Sequence, residues 1–202
     1  MKNNVPKLRF PEFTDAWEQR KLGEVLSIRN ENASQESICV DIELENLESN
    51  TGRIIGDTTV RTQTTSRFVA GDILFGRLRP YLNKWWLADV DGVKSGEIWA
   101  FRTESKFSNL FAYLIIQTPL FLDSANTTSG TKMPRADWKL LCDLAINIPT
   151  LPEQQKIGSF FRQLDSLITL HQYKYFAHFS RPKYCHFCLK RKEGTSPPTY
   201  PA

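Results

Sequence analysis

Ser129 to Gln172, SGTKMPRADWKLLCDLAINIPTLPEQQKIGSFFRQLDSLITLHQ, decides the reading of this chain. It opens with a small, polar, basic loop, Ser129-Gly130-Thr131-Lys132-Met133-Pro134-Arg135. An apolar segment, Leu140 to Ile148, follows and is bounded by Pro149. Thr150-Leu151-Pro152-Glu153 then has the form of a capping box. The Thr150 hydroxyl can accept from the Glu153 backbone N–H, Glu153 can reach back, and Pro152 falls in the first turn where a missing N–H costs nothing. Beyond it, Ile157, Phe161, Leu164 and Ile168 step by four, three and four, with Phe160 and Leu167 widening the stripe. That spacing predicts an amphipathic helix. Two uses fit it: a face lying on its own domain, or a heptad-like seam for a partner helix.

These residues resemble the conserved end of a target-recognition domain in the specificity subunit of Type I restriction–modification systems. The resemblance rests on Gly130-Thr131-Lys132-Met133-Pro134-Arg135, Trp138, Ile148-Pro149, the run Leu151-Pro152-Glu153-Gln154-Gln155-Lys156-Ile157, Phe160-Phe161 and Leu164-Asp165. Two earlier pieces, Phe-Pro-Glu-Phe at 10–13 and Trp-Glu-Gln-Arg-Lys-Leu-Gly-Glu-Val at 17–25, resemble the start of such a domain, so the likeness brackets residues 7 to 172.

The 202 residues can bury a sizeable core. No apolar run approaches ~20 residues, so no transmembrane helix is expected. The N-terminus has no apolar signal region. Cys39 and Cys142 lie in apolar surroundings and read as buried free thiols, which fits a reducing cytoplasm. The net charge of +4 is misleading as a whole, because residues from Tyr173 onward carry +5 and leave residues 1–172 at −1. Its local distribution says more. Arg61, Arg67, Arg77, Arg79 and Lys84 face Asp72 alone between Thr58 and Trp86, whereas Glu12 to Asp57 is acidic. A basic face can bind a polyanion, and a salt-bridged surface is the alternative.

In chain order, Pro6 to Phe13 reads as an extended arm, and Trp17 as a core or edge anchor. Ile38 to Leu47 alternates apolar and polar like a half-buried strand. Arg53 to Arg67 reads as a strand and an exposed loop. Ala70-Gly71-Asp72 is a tight turn into the apolar strand Ile73–Gly76. After it, Arg77-Leu78-Arg79-Pro80-Tyr81-Leu82-Asn83-Lys84 presents groups suited to DNA, since Arg pairs with phosphate or guanine and Asn with adenine. Bridges from Arg77 and Arg79 to nearby acids are the alternative. Ile98–Phe101 is a second apolar strand, and Leu110 to Leu122 an apolar helix broken at Pro119. Asp123 to Gly130 is a polar linker feeding the basic loop.

After Gln172 the text changes. The stripe fades, Pro182 ends any helix, and Pro197, Pro198 and Pro201 mark disorder. The family pattern continues with a Lys- and Leu-rich spacer and a second recognition domain, which this chain lacks. A frameshifted or rearranged end on a half-length subunit is the expectation, and another reading frame of the coding DNA should then encode a Lys/Leu-rich helix. Cys185-His186-Phe187-Cys188 is half of a zinc site, but the matching pair is missing, so no metal is expected. The chain has no phosphate-binding glycine loop or His-Glu-x-x-His motif, and its three His all lie at or beyond 171, so no catalytic site is expected.

The expected fold is α+β: a target-recognition domain of mixed strands and helices over 1–149, a conserved amphipathic, coiled-coil-type helix over 150–176, and an atypical, disordered tail over 177–202. The resemblance implies sequence-specific binding of double-stranded DNA, with methyl transfer from S-adenosylmethionine and ATP- and Mg²⁺-dependent restriction carried by a modification subunit and a restriction subunit. Arg61, Arg77, Arg79, Lys84, Lys132 and Arg135 are the expected phosphate and guanine contacts, and Thr64, Asn83, Ser129 and Thr131 the polar readers. Ile157, Phe161, Leu164 and Ile168 are the expected partner-helix face. A second half-specificity subunit could occupy that face. A truncated subunit acting only through its helix is the competing reading.

Overall fold

A computed structural model describes residues 6–33, 40–59, 66–127 and 133–179, the last eight as backbone. The chain divides into two compact units, Met1–Arg162 and Gln163–Ala202.

In the first unit the strands are β1 (Glu18–Lys21), β2 (Leu26–Ile28), β3 (Asp41–Ile42), β4 (Arg67–Phe68), β5 (Ile73–Gly76), β6 (Trp85–Leu87), β7 (Gly92–Lys94) and β8 (Ile98–Thr103). Helices α1 (Asn109–Ile115), α2 (Pro119–Asn126) and α3 (Trp138–Leu141) follow, then β9 (Ala145–Ile148) and α4 (Leu151–Phe179). The central sheet is antiparallel, in the order β2-β8-β5-β6. It is buried on both faces, which is why β5 and β8 read as continuous apolar runs instead of alternating. Ile73, Phe75, Trp85, Trp99 and Phe101 point into one core, and Leu74, Ile98 and Ala100 into another. The helices cover the first face: Phe121 of α2 meets Phe75 and Phe101 edge-on, at ring centroids 5.2 and 6.4 Å apart. The second face carries Ile42, Leu44, Leu47 and Phe68, three of them from around the small sheet β3-β7-β4.

The turn into β5 is as expected, with Gly71 at φ +92°, a conformation that side chains disfavour. The apolar helix is indeed two helices. Pro119 opens α2 rather than merely ending α1, and the Thr118 hydroxyl caps it by accepting from the Phe121 N–H. Ile38 to Leu47 is not one alternating strand: among its described residues only Asp41–Ile42 forms a strand. The chain then enters a 3₁₀ turn, Leu44–Asn46, because Asn46 and Glu43 close a reciprocal cap there. Cys142 is half-exposed, not buried, with its thiol against the Lys139 carbonyl. Cys39 lies outside the described residues.

β1 and β9 form their own two-stranded antiparallel sheet, Glu18 opposite Ile148 and Lys21 opposite Ala145. That pairing delivers the chain to Leu151, where α4 begins. The expected capping box is not how Glu153 is used. Its carboxylate is fully buried and accepts from Arg9 Nε and Nη2 at 2.6 and 2.7 Å and from Trp17 Nε1 at 3.3 Å. Burial beside a guanidinium outcompetes the reach back to Thr150. Gln154 is also buried. It accepts from the Ser108 N–H and donates to the Pro149 carbonyl, both at 2.9 Å. The arm at 6–13 thus lies along the first turns of α4, with Phe10 edge-on to Phe160 and Glu12 paired with Lys156. Trp17 is an anchor, as its sequence context predicts, packing edge-on to Phe111.

Candidate nucleic-acid interface

Two loops from distant parts of the sequence are zipped together. The Arg79 N–H donates to Pro134 O and the Ala136 N–H to Arg77 O, both at 2.8 Å, with Leu78 and Arg135 bridged antiparallel between them. The loop after β5 and the segment before α3 therefore form one surface. Arg79 and Arg135 stand exposed on it, and neither has an ion-pair partner among the described residues. The acid nearest Arg79 in sequence, Asp72, is taken by Arg29, whose Nε and Nη2 grip its carboxylate at 2.6 and 3.1 Å, and Asp137, nearest Arg135, accepts from the Lys139 N–H at 2.9 Å. Arg67 is paired with Asp91 at 3.3 Å. So the alternative raised by the sequence, arginines neutralised by their neighbours, holds for Arg67 and not for Arg79 or Arg135.

Arg77 is half-buried. Its guanidinium carbon lies 5.6 Å from the centre of the Trp99 ring, and Trp99 packs against Trp138 at 6.3 Å. Arg77 Nε is buried with no hydrogen-bond partner among the described residues. An aromatic face thus holds the charged group at the root of the loop. Behind it lies Lys94, 4% exposed, whose Nζ donates to Ser66 Oγ at 3.0 Å. Burial, followed by the charge of Arg77, pushes the Lys94 amine down to about 8, against a smaller opposing pull from Asp72.

Two residues expected to contact DNA make hydrogen bonds within the protein. The Lys84 amine donates to Leu44 O at 2.8 Å. Asn83 adopts φ 50° and its amide donates to Asn50 Oδ1 at 3.0 Å. Both tie the loop between β5 and β6 to the segment at 44–50, Lys84 through a backbone carbonyl and Asn83 through a side-chain amide oxygen. Arg61, Thr64, Ser129, Thr131 and Lys132 lie outside the described residues, as does Cys185–Cys188.

On α4, the expected face splits. Ile157 is partly buried against the domain's own core, because Gly158 brings the helix close to α1: a Cβ there would sit 2.6 Å from Leu110 Cβ. Phe160 and Phe161 are 44% and 45% exposed. In the second unit Leu164, Leu167, Ile168 and Leu170 are 36, 61, 55 and 57% exposed. Sequence spacing found the stripe but missed that Glu153, Gln154, Ile157 and Gly158 seat the helix. Among the described residues no helix is long and apolar enough to cross a membrane, and no cluster of His, Cys, Asp and Glu could hold a metal ion.

Residues 14–175 match the Type I restriction modification DNA specificity domain, and the chain belongs to that family. It is 28% identical over 173 residues to the Type I restriction enzyme EcoDI specificity subunit of Escherichia coli, covering 81% of this chain and 38% of that protein. Its fold is that of the HsdS subunit from Thermoanaerobacter tengcongensis, with a TM-score of 0.63 at 20% identity over 81% of this chain and 46% of the other. The S subunit of a Type I restriction-modification system from M. genitalium gives 0.53 at 18% identity, over 86% and 48%. The chain thus spans less than half the length of each of these relatives.

Proposed function

We propose that this chain binds double-stranded DNA sequence-specifically, as the specificity subunit of a Type I restriction–modification complex. It reads one target half-site and directs a modification subunit, and through it a restriction subunit, to that site. The observation that carries this reading is the pair of zipped loops presenting Arg79 and Arg135 without acidic partners among the described residues, in a chain of the DNA specificity family. Exposed guanidinium groups on a shaped backbone match phosphate and guanine edges, and Arg77 on Trp99 supplies a third, oriented one. The chain itself is non-catalytic in this proposal. S-adenosylmethionine, ATP and Mg²⁺ belong to the partner subunits, and the complex works in the cytoplasm. A second half-specificity subunit would supply the other half-site.

Binding measured across a salt series tests the loops directly. Each phosphate contact contributes about 0.9 to the slope of log K against log salt. Replacing Arg79 and Arg135 with Ala, singly and together, should lower the slope by about that much per residue. An unchanged slope in the double variant would refute this surface.

The exposed Leu164, Leu167, Ile168 and Leu170 favour a second reading, a half-subunit that acts only by helix-mediated capture of partners and competes with full-length subunits. Co-purification with the host's modification subunit, followed by methylome sequencing, separates the two. A new methylated motif supports the first reading, and capture without a motif supports the second.

A further inference from the structure

Between Arg79 and Asn83 the loop makes one 3₁₀ turn, Pro80–Leu82, and both flanking residues adopt the left-handed region at φ 50°. Neither is glycine, and an arginine there is uncommon. The conformation is over-determined. The Leu82 N–H donates to Arg79 O at 2.9 Å and the Asn83 N–H to Pro80 O at 3.0 Å. Asn50, itself at φ 61°, donates its N–H to Asn83 O at 2.8 Å and accepts from the Asn83 amide. Pro80 is buried and Leu82 half-buried. The middle residue of the turn, Tyr81, is 55% exposed, and no hydrogen bond or ring contact holds it among the described residues.

A backbone held in a disfavoured shape by four hydrogen bonds needs a use, and its visible result is to present this one ring beside Arg79. A large aromatic left in water two residues from Arg79 is poorly explained by folding, since it buries little and anchors nothing. It is well explained by base surface. A tyrosine ring is rigid, loses little entropy on binding, and offers an apolar face to a thymine methyl or to a base step opened in a groove. The cations beside it hold phosphates and set its register.

We propose that Tyr81 is a specificity-determining residue that contacts base surface in the recognised duplex, a role that rests on the DNA-binding reading above. Its loss should degrade which sequence is chosen while leaving the electrostatic part of binding intact. The full-length chain is used to select from a duplex library with a randomised centre, comparing wild type, Tyr81→Phe, Tyr81→Ala and Arg79→Ala. The enriched duplex and a scrambled one are then titrated at several salt concentrations.

Tyr81→Phe should keep the wild-type motif. Tyr81→Ala should lose sequence information at one or two adjacent positions and bind the selected duplex about 10- to 100-fold more weakly, with its salt slope and its binding to scrambled DNA unchanged. Because the side chain is exposed, Tyr81→Ala should melt with wild type. The proposal is overturned if Tyr81→Ala selects the wild-type motif with wild-type affinity. It is also overturned if Tyr81→Ala behaves like Arg79→Ala, losing slope and non-specific binding together, since the ring would then only prop the arginine. Failure of the wild-type chain to enrich any motif would remove the DNA-binding reading itself, and the Tyr81 role with it.

Discussion

Replacing Gln154 with Met should destabilise the first unit through the start of α4. Methionine keeps nearly the same volume, so the perturbation is chiefly the loss of two hydrogen bonds. Gln154 is 2% exposed, and its amide bridges the Ser108 N–H at the cap of α1 to the Pro149 carbonyl before α4. Both partners are backbone groups that then lose their partner away from water. Each such group costs about 1–3 kcal/mol, which gives a loss of about 2–6 kcal/mol. With a urea m-value of about 2 kcal/mol/M, the midpoint should fall by about 1–3 M. All five tryptophans lie at or before residue 138, so intrinsic fluorescence reports this unit. The adjacent Gln155 is exposed, and Gln155→Met should stay within about 0.5 kcal/mol of wild type. A midpoint shift for Gln154→Met no larger than that of Gln155→Met would refute the reasoning.

Gly158→Ala should destabilise by about 1–3 kcal/mol despite alanine's better helix propensity, because the new methyl meets Leu110; a raised melting temperature would contradict the close approach. Arg77→Lys keeps the charge and loses the planar contact with Trp99, so DNA affinity at fixed salt should drop about fivefold with little change in salt slope, and equal affinity would count against the stacked geometry. Lys94 titrates near 8 in the folded chain, below its ordinary 10.5. The unfolded chain therefore holds more protons between those values, and the stability contributed by this residue rises with pH across that window. Urea midpoints of wild type should gain on those of Lys94→Met between pH 8 and 10.5, and a constant difference would show that the amine is not shifted.

The two inner strands of the central sheet were legible because β5 and β8 are short apolar runs bounded by glycine and turn residues, a pattern that local physics explains; the outer strands β2 and β6 were not. Pro119 marked the α1–α2 break for the same reason. The interface was half legible. Spacing put Arg77 and Arg79 on a loop after a buried strand, and the basic segment ending at Arg135 on another, but no periodicity says that residues 77–79 pair with 134–136. That is a long-range backbone event. Asn83 and Lys84 look like free polar groups in sequence, and only the fold shows Asn50 and the Leu44 carbonyl waiting for them. The run Glu153-Gln154-Gln155-Lys156 reads as a polar helix start, yet its first two members are buried. Their burial depends on Arg9, Trp17 and Ser108, all more than forty residues away in sequence.

The β1–β9 sheet joins the entry and exit of everything between Leu22 and Leu144. Paired strands stand about 4.8 Å apart, so the intervening 123 residues leave and return through a gap one hydrogen bond wide. Loops inside that interval can lengthen, shorten or change their side chains without altering where α4 starts, provided the two strands still pair and α1 keeps its contacts with Gln154 and Gly158. The clasp acts like the threaded collar of an interchangeable tool head: the reading surface can be exchanged as a cassette while the handle, α4, keeps its place on the arm at residues 6–13.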